Sequence, residues 1–92
     1  MYKIVRSKKY RKDFQRLAMS GRFSQEKLWN IVDILASGFS LPLSCRNHPL
    51  HGRFAGAYEC HVEPDLVLIY EKFEDILVLY LIRVGSHSDL FD

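Results

Sequence analysis

This chain of 92 residues is short of several things, and each shortage narrows what it does. It has no long apolar run: Leu66 to Tyr70 and Ile76 to Tyr80 are among the longest, far below the roughly 20 residues of a membrane-spanning helix. No apolar N-terminal stretch leads to a small-residue cleavage site, so a cytosolic protein without a membrane role is expected. Cysteine is scarce too: Cys45 and Cys60 stand without a C-x-x-C spacing, too few for a disulfide scaffold, and both are read as thiols. The sequence holds no phosphate-binding glycine loop, no dinucleotide fingerprint and no G-x-S-x-G elbow. Nucleotide cofactors and serine-nucleophile chemistry drop out accordingly. Internal repeats and low-complexity segments are absent as well. What remains, 48% hydrophobic and 26% charged, suffices for one core, and residues 1–92 are read as a single domain.

Charge is present and unevenly placed. Residues 1–22 carry Lys3, Arg6, Lys8, Lys9, Arg11, Lys12, Arg16 and Arg22 against Asp13 alone, whereas residues 59–92 set Lys72 and Arg83 against eight carboxylates. A basic segment this dense attracts polyanions, of which nucleic acid is the commonest; a solvated helix face and an acidic protein partner are the other two readings.

The element pattern points to an α+β fold. Tyr2 to Arg6 reads as a short strand. Ser7 then caps a helix over Lys8 to Met19 whose apolar residues Tyr10, Phe14, Leu17 and Ala18 fall on one face. Gly21 interrupts it, Ser24 caps a second helix bearing Leu28, Ile31, Val32 and Leu35, and Gly38 closes that helix. From Phe39 to Gly52 periodicity is lost, and an irregular surface segment is expected. Three strands follow, over Arg53 to Val62, Leu66 to Lys72 and Ile76 to Val84, with gaps short enough for hairpins. The order β-α-α-β-β-β predicts an antiparallel sheet covered on one face by a helical hairpin.

All four histidines, His48, His51, His61 and His87, lie in the second half, each in or beside a loop or strand end. Imidazole titrates nearest neutrality, so converging histidines suit general acid/base catalysis. A metal site is a second reading, weakened because no pair has helical i, i+4 spacing and no cysteine knuckle exists; scattered surface histidines are the third. Arg83 closes an otherwise apolar strand. A guanidinium in that place meets either an anionic ligand or a carboxylate, for which Glu63 or Asp65 on a neighbouring strand end is the expected partner.

Three ordered blocks then become recognisable: His48-Pro49-Leu50-His51-Gly52, His61 to Tyr70, and Arg83 to Phe91. Together they closely resemble the YafQ branch of the RelE-like toxins of bacterial type II toxin–antitoxin modules. The resemblance is strongest from His48 to Phe91 and extends more loosely, through size, basic first helix and element order, over the rest. It implies a small RelE-like domain and a ribosome-dependent endoribonuclease, an mRNA interferase that cuts mRNA in the ribosomal A site without metal or cofactor. It also implies a cognate antitoxin, expected to be a dimeric DNA-binding protein that brings the complex to operator DNA. Carried over by position, the active-site set is His48, His61, Asp65, Arg83, His87 and Phe91, with His51 a lesser candidate. Where the family often has an aromatic residue after the aspartate, this chain has Leu66.

The residue types suit that chemistry. RNA brings its own nucleophile, the 2′-hydroxyl, so a base, a cation for the phosphate and an acid for the departing 5′-oxygen complete the reaction. Arg83 is assigned to the phosphate and His87 to the acid step. Asp65 with His48 or His61 is assigned to the base step, and Phe91 to stacking on an mRNA base. Lys8, Lys9, Arg11 and Lys12 then become contacts to RNA phosphates. A catalytically silent protein that binds an antitoxin and acts on operator DNA through it is the alternative.

Overall fold

Strand β1 spans Lys3–Arg6 and helix α1 spans Lys8–Ser20, with Ser7 as the hinge between them. The Ser7 hydroxyl oxygen accepts from the backbone N–H of Tyr10 at 2.9 Å and donates to the carbonyl of Ile82 at 2.6 Å. One side chain thus satisfies a free helix donor and ties the helix start to the C-terminal strand. Gly21, at φ 73°, takes the left-handed conformation that ends α1. Helix α2 covers Gln25–Ala36 behind the Ser24 cap, and the two helices meet where Phe14 packs edge-on against Phe23 at 5.4 Å and beside Trp29 at 6.4 Å. The computed structural model describes residues 1–21 and 23–91; Arg22 and Asp92, which enter the charge counts, lie outside the described residues.

The remaining strands are β2 (His48–Pro49), β3 (Tyr58–Glu63), β4 (Leu66–Phe73) and β5 (Val78–Gly85), followed by a short helix α3 (His87–Phe91). Their order in the sheet is β1-β5-β4-β3-β2. Pairs β2–β3, β3–β4 and β4–β5 are antiparallel, as expected of hairpins, but β1 lies parallel to β5, with Lys3 opposite Val78. The sheet is therefore mixed, not wholly antiparallel. A tight turn dictates direction between chain neighbours, whereas β1 is separated from β5 by both helices and the whole meander, so packing alone orients it.

Three details also differ from expectation. The irregular segment contains β2 and a short 3₁₀ turn at Leu43–Cys45, and a second such turn, Gly52–Phe54, begins at its last residue. Strand β3 starts at Tyr58 rather than Arg53, because the second turn and Gly56, at φ 94°, break the extended backbone. Strand β5 starts at Val78 because Leu77 turns the chain at φ 51°, leaving Ile76 and Leu77 exposed despite their apolarity.

Both faces of β4 are buried. On one, Leu28, Val32 and Leu35 of α2 and Tyr10 of α1 pack on Cys60, Leu68, Leu79, Leu81 and Val84. On the other, Leu90 of α3 and Ala57 cover Val67 and Ile69, with Leu50, Phe54, Ile82 and Phe91 around them. The helical hairpin is the cover the sequence predicts; the second layer comes from α3 and the loop before β3, and its helix carries the candidate residues His87 and Phe91. Among the described residues no helix is long and apolar enough to cross a membrane.

Candidate active site

Residues facing each other across antiparallel strands share a face, and alternate residues of one strand share it too. His48 on β2 pairs with Glu59 on β3, and His61 lies two residues further along β3. All three side chains converge: the Glu59 Oε1 is 3.8 Å from Nε2 of His48 and 3.8 Å from Nε2 of His61, while Glu59 itself is only 3% exposed. The other ring nitrogen of His48, Nδ1, lies 2.7 Å from the Arg46 carbonyl. A carbonyl only accepts, so Nδ1 is the donor there and Nε2 is the ring nitrogen that faces the carboxylate.

His87 reaches this face by another route. His61 pairs with Val67, and Val67 with Gly85, so these three form one row across β3, β4 and β5. Two strand spacings, about 10 Å, separate its ends. Helix α3 begins two residues after Gly85 and, through Leu90 at 1% exposure, packs onto Val67 and Ile69 on the imidazole side. Its first turn is held by the Ser86 hydroxyl, which accepts from the backbone N–H of Asp89 at 3.1 Å. His87 is exposed, with its ring 4.5 Å from that of Phe91, and Phe91 in turn packs edge-on against Phe54 at 5.7 Å. Asp65 sits exposed in the β3–β4 turn, at the sheet end where this row lies. His51 is exposed just before the second 3₁₀ turn, and no hydrogen bond or ion pair joins it to the imidazole pair among the described residues.

Arg83 departs from expectation. Its partner is neither Glu63, which pairs with Lys27 at 3.4 Å, nor Asp65. Nε donates to Asp13 Oδ2 at 2.7 Å and Nη2 to Oδ1 at 3.0 Å. Asp13, 3% exposed, also accepts from the backbone N–H of Val84 at 3.2 Å. The paired hydrogen bonds from Asp13 raise the Arg83 pKa, against the opposing effect of burial. This clamp seals the edge of β5 just beyond the end of β1, and it commits part of the guanidinium to α1.

Two residues that matter were missed in the sequence, although each left a trace. Glu59 sits two positions before His61, the spacing that puts both on one face of a strand. Asp13 is the sole carboxylate in a cationic stretch and lies three residues after Tyr10, on the apolar side of its helix. Lys8, Lys9, Arg11 and Lys12 are exposed along α1, and none forms an ion pair among the described residues. Both cysteines are buried free thiols, and burial pushes the Cys60 thiol up to about 12, away from nucleophilic chemistry near neutrality. Among the described residues no group of three His, Cys, Asp or Glu side chains is arranged to hold a metal ion.

The fold places the chain in a class of small bacterial toxins. The metal-bound toxin from Helicobacter pylori superposes on it with a TM-score of 0.90 at 38% identity, over 99% of this chain and 100% of that one. The Escherichia coli DinJ–YafQ toxin–antitoxin complex contains a chain that matches with a TM-score of 0.85 at 34% identity, over 99% and 98%. In sequence, the mRNA interferase toxin YafQ of Escherichia coli strain K12 is 37% identical over 89 residues, 96% of this chain and 94% of that protein. The family model for the bacterial toxin of type II toxin–antitoxin systems, YafQ, matches residues 2–92, and the chain belongs to that family.

Proposed function

We propose that the protein is the toxin of a type II pair and acts as a ribosome-dependent mRNA interferase, cutting message in the A site. The observation that carries this reading is the convergence of His48, Glu59 and His61 on the sheet face that also bears the helix of His87. The name of the Escherichia coli relative, an mRNA interferase toxin, supports the mRNA-cleaving part of this reading.

In this scheme the RNA 2′-hydroxyl attacks the adjacent phosphorus, forming a 2′,3′-cyclic phosphate and releasing the 5′-oxygen. The imidazole pair backed by Glu59, with Asp65 at the rim, takes the 2′-hydroxyl proton and positions the sugar. His87 gives a proton to the departing oxygen. Arg83, clamped by Asp13 yet with most of its N–H donors uncommitted, offsets charge building on the phosphate. Phe91, half-buried against Phe54, offers its remaining surface for base stacking. Each of these steps runs on side chains alone, without metal or cofactor. The cationic α1 supplies phosphate contacts to ribosomal RNA. A cognate antitoxin, DNA-binding and dimeric, neutralises the toxin and brings it to operator DNA, and the toxin works in the cytoplasm where ribosomes translate.

Replacing His87 by alanine tests the scheme. Cleavage of a translated message should slow by roughly 10² to 10⁴, with the thermal melt unchanged because the side chain is exposed. Full cleavage by the variant would remove His87 from the mechanism. A wild-type protein that neither cuts message nor arrests growth without its antitoxin would leave only the antitoxin-binding role.

A further inference from the structure

Three guanidinium groups lie on or next to the elements that build the imidazole face, and two are engaged. Arg83 is clamped by Asp13, and Arg53 donates from Nη2 to the Leu90 carbonyl at 3.2 Å while lying 5.1 Å over the Phe54 ring. The third, Arg46, is exposed, and its side chain has no partner among the described residues. Its backbone is held firmly all the same. Arg46 stands at φ 50°, one of two non-glycine residues at positive φ among those described. Such a conformation persists only where its surroundings impose it. Here the Arg46 N–H donates to the Leu43 carbonyl at 3.1 Å, and its own carbonyl accepts from His48 Nδ1 at 2.7 Å. The residue whose carbonyl orients one imidazole therefore also carries a positive charge that has no carboxylate partner among the described residues.

That side chain borders a hollow of about 320 Å³ whose lining also includes His61, Ser44 and Val62. The volume lies at the small end of ligand clefts. Its one carboxylate, Glu63, is neutralised by Lys27 at 3.4 Å. An arginine without a carboxylate partner and an imidazole lining one hollow, together with a hydroxyl and an apolar wall, match the chemistry of a nucleotide: charge for the phosphate, wall for the base. We propose that Arg46 is a substrate-binding residue, gripping the RNA phosphate next to the scissile linkage while the adjoining nucleotide occupies the hollow beside His61. The proposal rests on the ribonuclease reading above and gives that site a second cation, one not already committed to a carboxylate.

Initial cleavage rates on mRNA-programmed ribosomes, measured over a range of salt, test it. Arg46→Ala should raise KM about tenfold and reduce the steepness of the salt dependence by about one phosphate contact. The kcat and the pH profile should stay unchanged, since the carbonyl that orients His48 belongs to the backbone. Arg46→Lys should recover most of the KM. Should alanine lower the melting temperature, Arg46→Gln, which keeps the stem and loses the charge, takes its place. An unchanged KM and salt slope in a folded variant overturns the proposal alone. A changed kcat or pH profile at constant KM also overturns it, assigning Arg46 to His48 orientation only. If the wild-type protein cuts no message, the ribonuclease reading fails and this proposal with it.

Discussion

Glu59 is nearly excluded from water and faces two imidazoles, so its charge acts through less solvent screening than an exposed pair would allow. Glu59→Gln keeps the shape and removes the charge. Cleavage should fall about 10- to 100-fold, the size of loss found when the partner that orients a metal-bound imidazole is removed, while the thermal melt stays close to wild type. Single-turnover rates on message beside a melting curve check this, and an unaltered rate would make Glu59 a packing residue. The four histidines could be picked out from the chain alone, since their side-chain chemistry is independent of fold. The partner of Arg83 could not: Asp13 is far away in sequence, and only the docking of α1 along the edge of β5 brings the carboxylate to the guanidinium.

Among the elements, α3 is the most dependent on its surroundings. Five residues are too few for a helix to hold itself in water, so burial of Leu90, the Ser86 cap and the closeness of Gly85 keep it in place. A Cβ added at Gly85 would lie 3.3 Å from Cδ2 of the fully buried Leu90, a tight contact, and 3.8 Å from Asp89 Cβ, an ordinary one. Gly85→Ala should therefore shift α3 by a few tenths of an ångström and lower cleavage about tenfold through His87, because catalysis is more sensitive to such displacement than stability is. Paired cleavage assays and melting curves decide; a large loss of stability with proportionate loss of activity would point to packing alone. The two long helices were legible because their stripes and caps are local signals. Helix α3 was not, since its apolar contacts come from strands elsewhere in the sequence.

At the scale of the molecule, charge and chemistry occupy separate surfaces, with the cations of α1 exposed along the helix and the imidazoles on the far side of the sheet from the helical core. If α1 holds ribosomal RNA, reversing Lys8, Lys9 and Lys12 to glutamate should weaken ribosome binding and lower its salt slope by roughly two to three units. Co-sedimentation with ribosomes across a salt series measures both. Unchanged affinity would make α1 a solvated face and move the ribosome contact elsewhere.

The order of residues by itself determined the helices with their serine caps, the strand-sized apolar runs, the hairpin order of the meander and the blocks that mark the YafQ family, because each is written within a few neighbouring residues. Tertiary structure alone decided that β1 runs parallel to β5, that a second layer covers the sheet, that Asp13 clamps Arg83, and that Glu59 stands between His48 and His61. Those pairings join residues distant along the chain, and burial of both faces of β4, not any local preference, selects them.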